Sequence, residues 1–140
     1  MIILDTNVVS EFMTSQPDKS VLQWMNKQAP NQLYLTTITC AEITYGLGTM
    51  PAGKRRQFLS ERFESFIDMG FTGRILDFDS TSAKIYGEIM SHRKSIGRPM
   101  SIFDGQIAAI VKRHGFSLAT RNIKDFKDSD IVLINPFIAE

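Results

Sequence analysis

The chain has 140 residues, 16 Lys/Arg against 15 Asp/Glu and 43% apolar residues, a length that buries about 70% of the unfolded surface around one core without covalent staples. Its single cysteine, Cys40, excludes internal disulfides and cysteine-based zinc sites, reads as a small core residue and suits a reducing compartment. No stretch resembles a signal peptide or is long and apolar enough to span a bilayer, so a soluble cytoplasmic protein with no membrane partner is expected.

In chain order, the apolar run Ile2 to Leu4 predicts a first strand that runs directly into Asp5. Val21, Leu22 and Met25 then mark a short amphipathic helix, Leu33 to Leu35 a second strand, Ile43, Leu47 and Met50 a second helix, and Leu59, Phe63, Phe66 and Ile67 a third. Ile75 to Phe78 predicts the next strand. Ala83, Tyr86, Ile89, Met90 and Arg93 form one helical stripe, and Phe103, Ile107, Ile110 and Val111 another. Ser117 to Ala119 and Ile131 to Ile134 supply the last strands. Pro51 with Gly53, Gly70 with Gly73, Gly97 with Pro99, and Gly115 punctuate these runs. Strands joined by connections too long for hairpins imply an α/β fold, one domain over residues 1–140. Its mostly parallel central sheet would have about five strands flanked by helices.

Charge is unevenly distributed. Between Lys54 and Arg121 there are 12 Lys/Arg against 7 Asp/Glu, whereas residues 1–53 and 122–140 each carry 2 against 4. The central clusters Lys54-Arg55-Arg56, Arg93-Lys94, Arg98 and Lys112-Arg113-His114 could track a phosphate backbone. Each is equally readable as the solvated face of a helix.

Four acids follow short apolar runs: Asp5, Glu42, Asp104 and Asp125. In an open parallel sheet such positions converge outside the carboxyl ends of the strands. Each also reads as part of a helix cap. Thr39 to Glu42, Ser101 to Asp104 and Asn122 to Asp125 have capping-box spacing, and Asp5 can cap a helix starting at Thr6. Capping explains an acid near one helix start but not acids after several strands. Gathered carboxylates repel, and a divalent cation relieves that repulsion. The all-oxygen set favours magnesium or manganese over zinc, since neither His92 nor His114 has a partner at zinc-site spacing. His92 reads as a surface residue and His114 as a helix C-terminal one. No histidine-acid relay accompanies Ser10, Ser101 or Thr120, and no Walker loop or dinucleotide fingerprint is present.

The segments MIILDTNVVSEF, TITCAEITYGL, SIFDGQIAAIVKRHGFSLATRN and KDF resemble, in that order, the motifs of PIN-domain nucleases. Among these the sequence is particularly similar to the VapC and FitB type of toxin from bacterial toxin-antitoxin pairs. The resemblance runs from Ile2 to about Pro136. It implies that Asp5, Glu42 and Asp104 bind metal and serve catalysis, and that Asp125 fills the fourth position, as in the TRNxxDF form. Asn122 stands where some relatives carry Asp and is expected to be a polar neighbour. Thr6, Asn7, Thr120 and Arg121 are implied to orient carboxylates or hold a phosphate. The resemblance further implies Mg²⁺-dependent hydrolysis of RNA phosphodiesters, with Mn²⁺ able to substitute and the phosphate left on the downstream fragment. A homodimer, and a larger complex with a small cognate DNA-binding antitoxin, are implied as well.

Two alternatives remain open at this point. One keeps the fold and metal but cuts DNA, since nothing reveals recognition of a sugar hydroxyl. The other is a non-catalytic receiver-like signalling domain, for which only Phe78-Asp79 offers a phospho-accepting candidate. A dehalogenase-like phosphatase is disfavoured by Asn7, which stands where that family's second Asp is needed. Val21, Leu22, Trp24, Met25, Met50 and Phe58 are candidates for a shared apolar surface, or for ordinary core.

Overall fold

The computed structural model describes residues 1–138. Strand β1 (Ile2–Leu4) leads through Asp5 into α1 (Thr6–Glu11) and α2 (Lys19–Asn26). A 3-10 turn, Pro30–Gln32, precedes β2 (Leu33–Thr36), followed by α3 (Thr37–Thr49), α4 (Lys54–Gly70) and β3 (Ile75–Leu76). Then come α5 (Ser80–Ser95), α6 (Ile102–His114), β4 (Ser117–Ala119), α7 (Ile123–Phe126) and β5 (Val132–Ile134). The third strand is shorter than the run Ile75 to Phe78 suggests, because Asp79 caps α5 by accepting the Ser82 N–H at 2.8 Å.

All strand pairs are parallel and the order is β3-β2-β1-β4-β5. Such a sheet needs both faces covered, and the alternation of side chains along each strand supplies both. Ile3 and Leu118 point to a core with Ile89, Met100, Ile107 to Val111 and Phe126. Their chain neighbours Leu4 and Ala119 point to the other face, with Val8, Val9, Val21, Leu35, Ile43, Phe63 and Phe71. Each fully buried aliphatic side chain contributes roughly 2 kcal/mol. Val21 is completely buried in this second core and so is not part of an exposed apolar surface.

The two helical layers differ in closeness. On the α5–α6 side, a Cβ added at Gly105 would lie 2.5 Å from Met90 Sδ and 3.0 Å from a Tyr86 ring carbon, so the glycine permits the helices' close approach. On the α1–α4 side, a groove of about 880 Å³ remains open, lined by Phe12, Met25, Leu33, Phe58, Phe66 and Phe71 among others. Phe58 at its edge is 44% exposed. Among the described residues no helix is long and apolar enough to cross a membrane.

The sheet also fixes where a site can form. Strands β2 and β3 lie to one side of β1, and β4 and β5 to the other, so the chain leaves β1 and β4 in opposite directions and a crevice opens beyond their carboxyl ends.

Candidate active site

Asp5 is the first residue past β1, the central strand. Its N–H donates to the Ala119 carbonyl at 2.9 Å, which anchors it to the end of β4. The side chain is only 4% exposed. Its Oδ1 accepts the Thr6 N–H at 2.8 Å, and its Oδ2 accepts the Thr120 hydroxyl at 2.7 Å and Asn7 Nδ2 at 3.3 Å. Asp5 thus caps α1, so the cap and the candidate site residue coincide.

Thr120 is fully buried at the end of β4, with its N–H donating to the Ile134 carbonyl of β5. Besides donating to Asp5, its hydroxyl oxygen accepts the Asn122 N–H at 3.0 Å and faces Asn7 Nδ2 at 3.4 Å. Asn7 Oδ1 in turn accepts the Arg121 N–H at 3.2 Å. One hydroxyl and one amide therefore tie the β1 and β4 ends together around Asp5.

Glu42 arrives from α3. That helix starts earlier than the Thr39 to Glu42 spacing suggests: Thr36 is its N-cap, accepting the Thr39 N–H at 3.1 Å, and Glu42 lies in the second turn. The capping-box expectation for Thr39 and Glu42 is therefore corrected. Thr39 has a different part. Its buried hydroxyl lies 3.1 Å from the Thr6 hydroxyl, which donates to Glu42 Oε1 at 2.9 Å. A hydroxyl has one proton, so with Thr6 donating to Glu42, Thr39 donates to Thr6. Thr6 then bridges Asp5 through its amide and Glu42 through its hydroxyl.

Asp104 lies in the first turn of α6, where the Ser101 N-cap accepts its N–H at 3.2 Å as the capping box anticipates. Asp125 sits in the four-residue α7, with its N–H bonded to the Asn122 carbonyl at 3.0 Å. Asn122 is the N-cap residue, although among the described residues its side chain makes no capping bond.

The acids sense one another. The Asp5 carboxyl is pushed up to about 6, chiefly by burial, against the Thr120 and Thr6 hydrogen bonds and with help from the charges of Asp104 and Glu42. Glu42 is raised by burial, against the Thr6 hydrogen bond, with Asp104 adding to the rise. Asp104 is raised by burial and also by Asp125, while the Ser101 bond and Arg93 hold it down. The four sequence-predicted acids form one electrostatic neighbourhood. They do not form a closed cage: among the described residues no three His, Cys, Asp or Glu side chains stand close enough together to hold a metal ion ready-made.

The basic residues are placed otherwise than their clustering suggests. Arg93, read both in a helical stripe and in a phosphate-tracking cluster, is 4% exposed. Its Nε donates to the Arg98 carbonyl at 2.6 Å, and its Nη1 to the carbonyls of Asp125 and Lys127 at 2.9 and 2.6 Å. It faces inward and positions α7. Arg98, Lys112 and Arg113 pair with Asp128, Asp130 and Asp79 at 3.0 to 3.3 Å, which reduces the free positive charge of the central segment. Arg121 is different, being exposed, with its guanidinium 3.9 Å from the centre of the Phe137 ring. Neither Phe137 nor Thr39 was found as a site residue by sequence reasoning. A hydroxyl after a strand and a lone aromatic near the end carry no distinctive spacing.

The PIN domain family profile matches residues 2–131. The chain is 42% identical over 137 residues to the VapC ribonuclease Y4jK of Sinorhizobium fredii, covering 98% of each protein. It is 40% identical over 137 residues to Toxin FitB of Neisseria gonorrhoeae, covering 98% of this chain and 99% of that one. A structure of FitAB bound to the IR36 DNA fragment superposes with a TM-score of 0.92 at 40% identity, covering 100% of this chain and 98% of the other. The electrostatically coupled acids, the parallel fold and these similarities have one consequence: the chain belongs to the PIN domain family.

Proposed function

We propose that this chain is a metal-dependent endoribonuclease and the toxin of a toxin-antitoxin pair, with residues 1–140 acting as one domain in the cytoplasm. The observation that carries the reading is Asp5. A carboxylate buried at the end of the central strand, its pKa raised to about 6 by burial and by neighbouring acids together, is costly unless positive charge arrives. The relatives named as a ribonuclease and a toxin support the same reading.

The donor set fits a hard cation, since Asp5, Glu42, Asp104 and Asp125 offer carboxylate oxygens and the intervening polar groups are hydroxyls and amides. These four residues would hold Mg²⁺, with Mn²⁺ able to replace it. A bound divalent cation supplies acidification of an attacking water and neutralisation of charge on a phosphodiester. The protein's part is preorganisation. Thr120 and Thr6 hold Asp5 ionised and aimed, and the Thr39 to Thr6 relay fixes the Glu42 carboxylate. Asp125 adds negative charge at the open side, with Asn122 as its polar neighbour. Arg121 offers a cation to the RNA backbone at the rim. Partners are a homodimeric second copy and a small DNA-binding antitoxin in a larger complex, for which the open apolar groove provides surface suited to burial.

The test is cleavage of labelled single-stranded RNA by the purified chain with EDTA, Mg²⁺ or Mn²⁺, alongside duplex DNA and acetyl phosphate. Cleavage abolished by EDTA, restored by either cation and suppressed by the co-expressed antitoxin is expected. DNA cleavage without RNA cleavage, or phosphorylation by acetyl phosphate, would replace this reading.

A further inference from the structure

Resting on the ribonuclease reading, we propose that Phe137 is a positioning residue that holds Arg121 as a built phosphate clamp for the RNA backbone at the rim of the acidic site. Phe137 lies beyond the matched part of the family profile, which ends at residue 131.

Three observations carry the assignment. The first is the stack itself. The guanidinium lies over the Phe137 ring, its central carbon 3.9 Å from the ring centre, a cation–π contact that occupies none of its N–H donors with a carboxylate or carbonyl. Among the described residues neither a carboxylate within ion-pair distance nor a side-chain hydrogen bond engages Arg121, in contrast to Arg98, Lys112 and Arg113. A planar fork with free edges is the group that recognises phosphate bidentately.

The second is where both partners are anchored. The Arg121 N–H is held by Asn7 Oδ1, and Asn7 Nδ2 reaches Asp5 Oδ2, so the arginine's backbone is two hydrogen bonds from the central carboxylate. The ring is equally fixed. The Phe137 N–H donates to Asn135 Oδ1 at 3.0 Å, Pro136 before it is buried, and the half-buried ring packs against the core that contains Val8 and Val9. The segment after β5 is thereby bent back over the β4 end, and its aromatic side chain lies under the guanidinium rather than in solvent.

The third is electrostatic. Asp5, Glu42 and Asp104 reinforce one another's negative field, which repels a polyanion approaching the crevice. A cation fixed at the rim offsets that repulsion for one phosphate and sets the register of the strand. An arginine left to fluctuate would lose side-chain entropy on each encounter, and the ring removes much of that loss beforehand.

The experiment compares Arg121→Gln, Phe137→Leu, Phe137→Tyr and the Arg121→Gln/Phe137→Leu double variant. Two assays are run: steady-state cleavage of a fluorogenic single-stranded RNA in Mg²⁺, and anisotropy binding of the same RNA in EDTA across a NaCl series. Leu keeps the core packing but lacks the π face, so Phe137→Leu should melt like the wild type. It should nevertheless raise KM several-fold with kcat within two-fold, and Phe137→Tyr should restore KM. Arg121→Gln should raise KM by about ten-fold and flatten the slope of log K against log salt by about 1. The double variant should be no worse than Arg121→Gln, because the ring acts through the arginine. If the wild type cleaves RNA but Phe137→Leu leaves KM and binding unchanged, or the two effects add, the inference is overturned and the nuclease reading stands. A wild type that neither cleaves nor binds RNA removes both.

Discussion

Asp5 and Asp125 contribute carboxylates to the same neighbourhood by opposite means. Asp5 extends the central strand, is almost fully buried, and has both oxygens held by donors from Thr6, Asn7 and Thr120. Asp125 is exposed on a helix of four residues. Its backbone carbonyl is fixed by Arg93, but among the described residues its carboxylate accepts no hydrogen bond. The first pole is preorganised at a cost in stability, whereas the second leaves its charge free to adjust. Glu42 and Asp104, both half-buried, stand between them: the Glu42 carboxylate accepts the Thr6 hydroxyl, and the Asp104 backbone N–H donates to Ser101 Oγ. The contrast teaches that one site can separate precision from adaptability by assigning each to a different segment of chain.

The largest effect expected from breaking this contrast is at Asp5. Asp5→Asn preserves shape but removes the charge, and cleavage should fall by about 10³-fold. Stability should move the other way. Between the ordinary value of 3.8 and the folded value of about 6, the native state holds more protons at Asp5 than the unfolded state does. The metal-free wild type therefore has this contribution in full below the unfolded pKa and loses it as pH rises through about 6, by up to about 3 kcal/mol. Urea denaturation in EDTA at several pH values should show Asp5→Asn losing less stability than the wild type over this window, and standing above it at pH 7.5. Equal pH slopes for the two proteins would contradict the account of burial.

Thr120→Val comes next, because it keeps the buried shape and deletes the donor to Asp5 Oδ2. Asp5 Oδ2 then keeps only the longer bond from Asn7 Nδ2, and loss of the buried hydroxyl bond should cost about 1–3 kcal/mol. Activity should drop roughly 10–100-fold, as for other residues that orient a ligand through a hydrogen bond. The lost bond is one that lowers the Asp5 pKa, so the acid limb of the pH–rate profile should move to higher pH. An unmoved limb would show that Thr120 does not set the Asp5 charge state.

Asp125→Asn should have the smallest effect. The protein should melt within about 0.5 kcal/mol of the wild type, as exposed substitutions do, while the Mg²⁺ concentration for half-maximal cleavage rises and turnover declines a few-fold. A companion titration of Asn122→Ala should show the lesser shift in metal requirement. Loss of cleavage in Asp125→Asn as complete as in Asp5→Asn would erase the distinction between the two poles, and a shift in Asn122→Ala alone would transfer the role to Asn122.

The elements were legible because apolar periodicity reports directly on what a sheet must bury. Ile2 to Leu4 and Ser117 to Ala119 are strands at the residues expected, and alternation divides Ile3 from Leu4 and Leu118 from Ala119 between two cores. The acids too were visible, since Asp5 follows a strand, Asp104 and Asp125 lie in the first turns of their helices and Glu42 lies one turn into α3. What was not visible depends on distance in space. Arg93 looked like surface charge because composition cannot tell a solvated guanidinium from one enclosed by three carbonyls. Thr39 looked like a cap because Thr36, three residues earlier, offers an equivalent hydroxyl, and the helix starts where β2 ends. The pairing of Arg121 with Phe137 joins residues on two strand ends that only the sheet order brings together.

The Arg93 clamp bears on how this molecule opens. One guanidinium joins the end of α5 to the segment that follows β4, and it does so only through main-chain carbonyls of residues 98, 125 and 127. Losing those bonds leaves α7 held by Phe126, which is buried in the Ile3 core, whereas β1, which leads into Asp5, is held by its ladders to β2 and β4. The backbone amides of α7 should exchange with solvent through a shared opening that withdraws Phe126 from the core as well as breaking the Arg93 bonds. Opening of the Asp125 segment therefore leaves the β1–β4 ladder that leads into Asp5 paired.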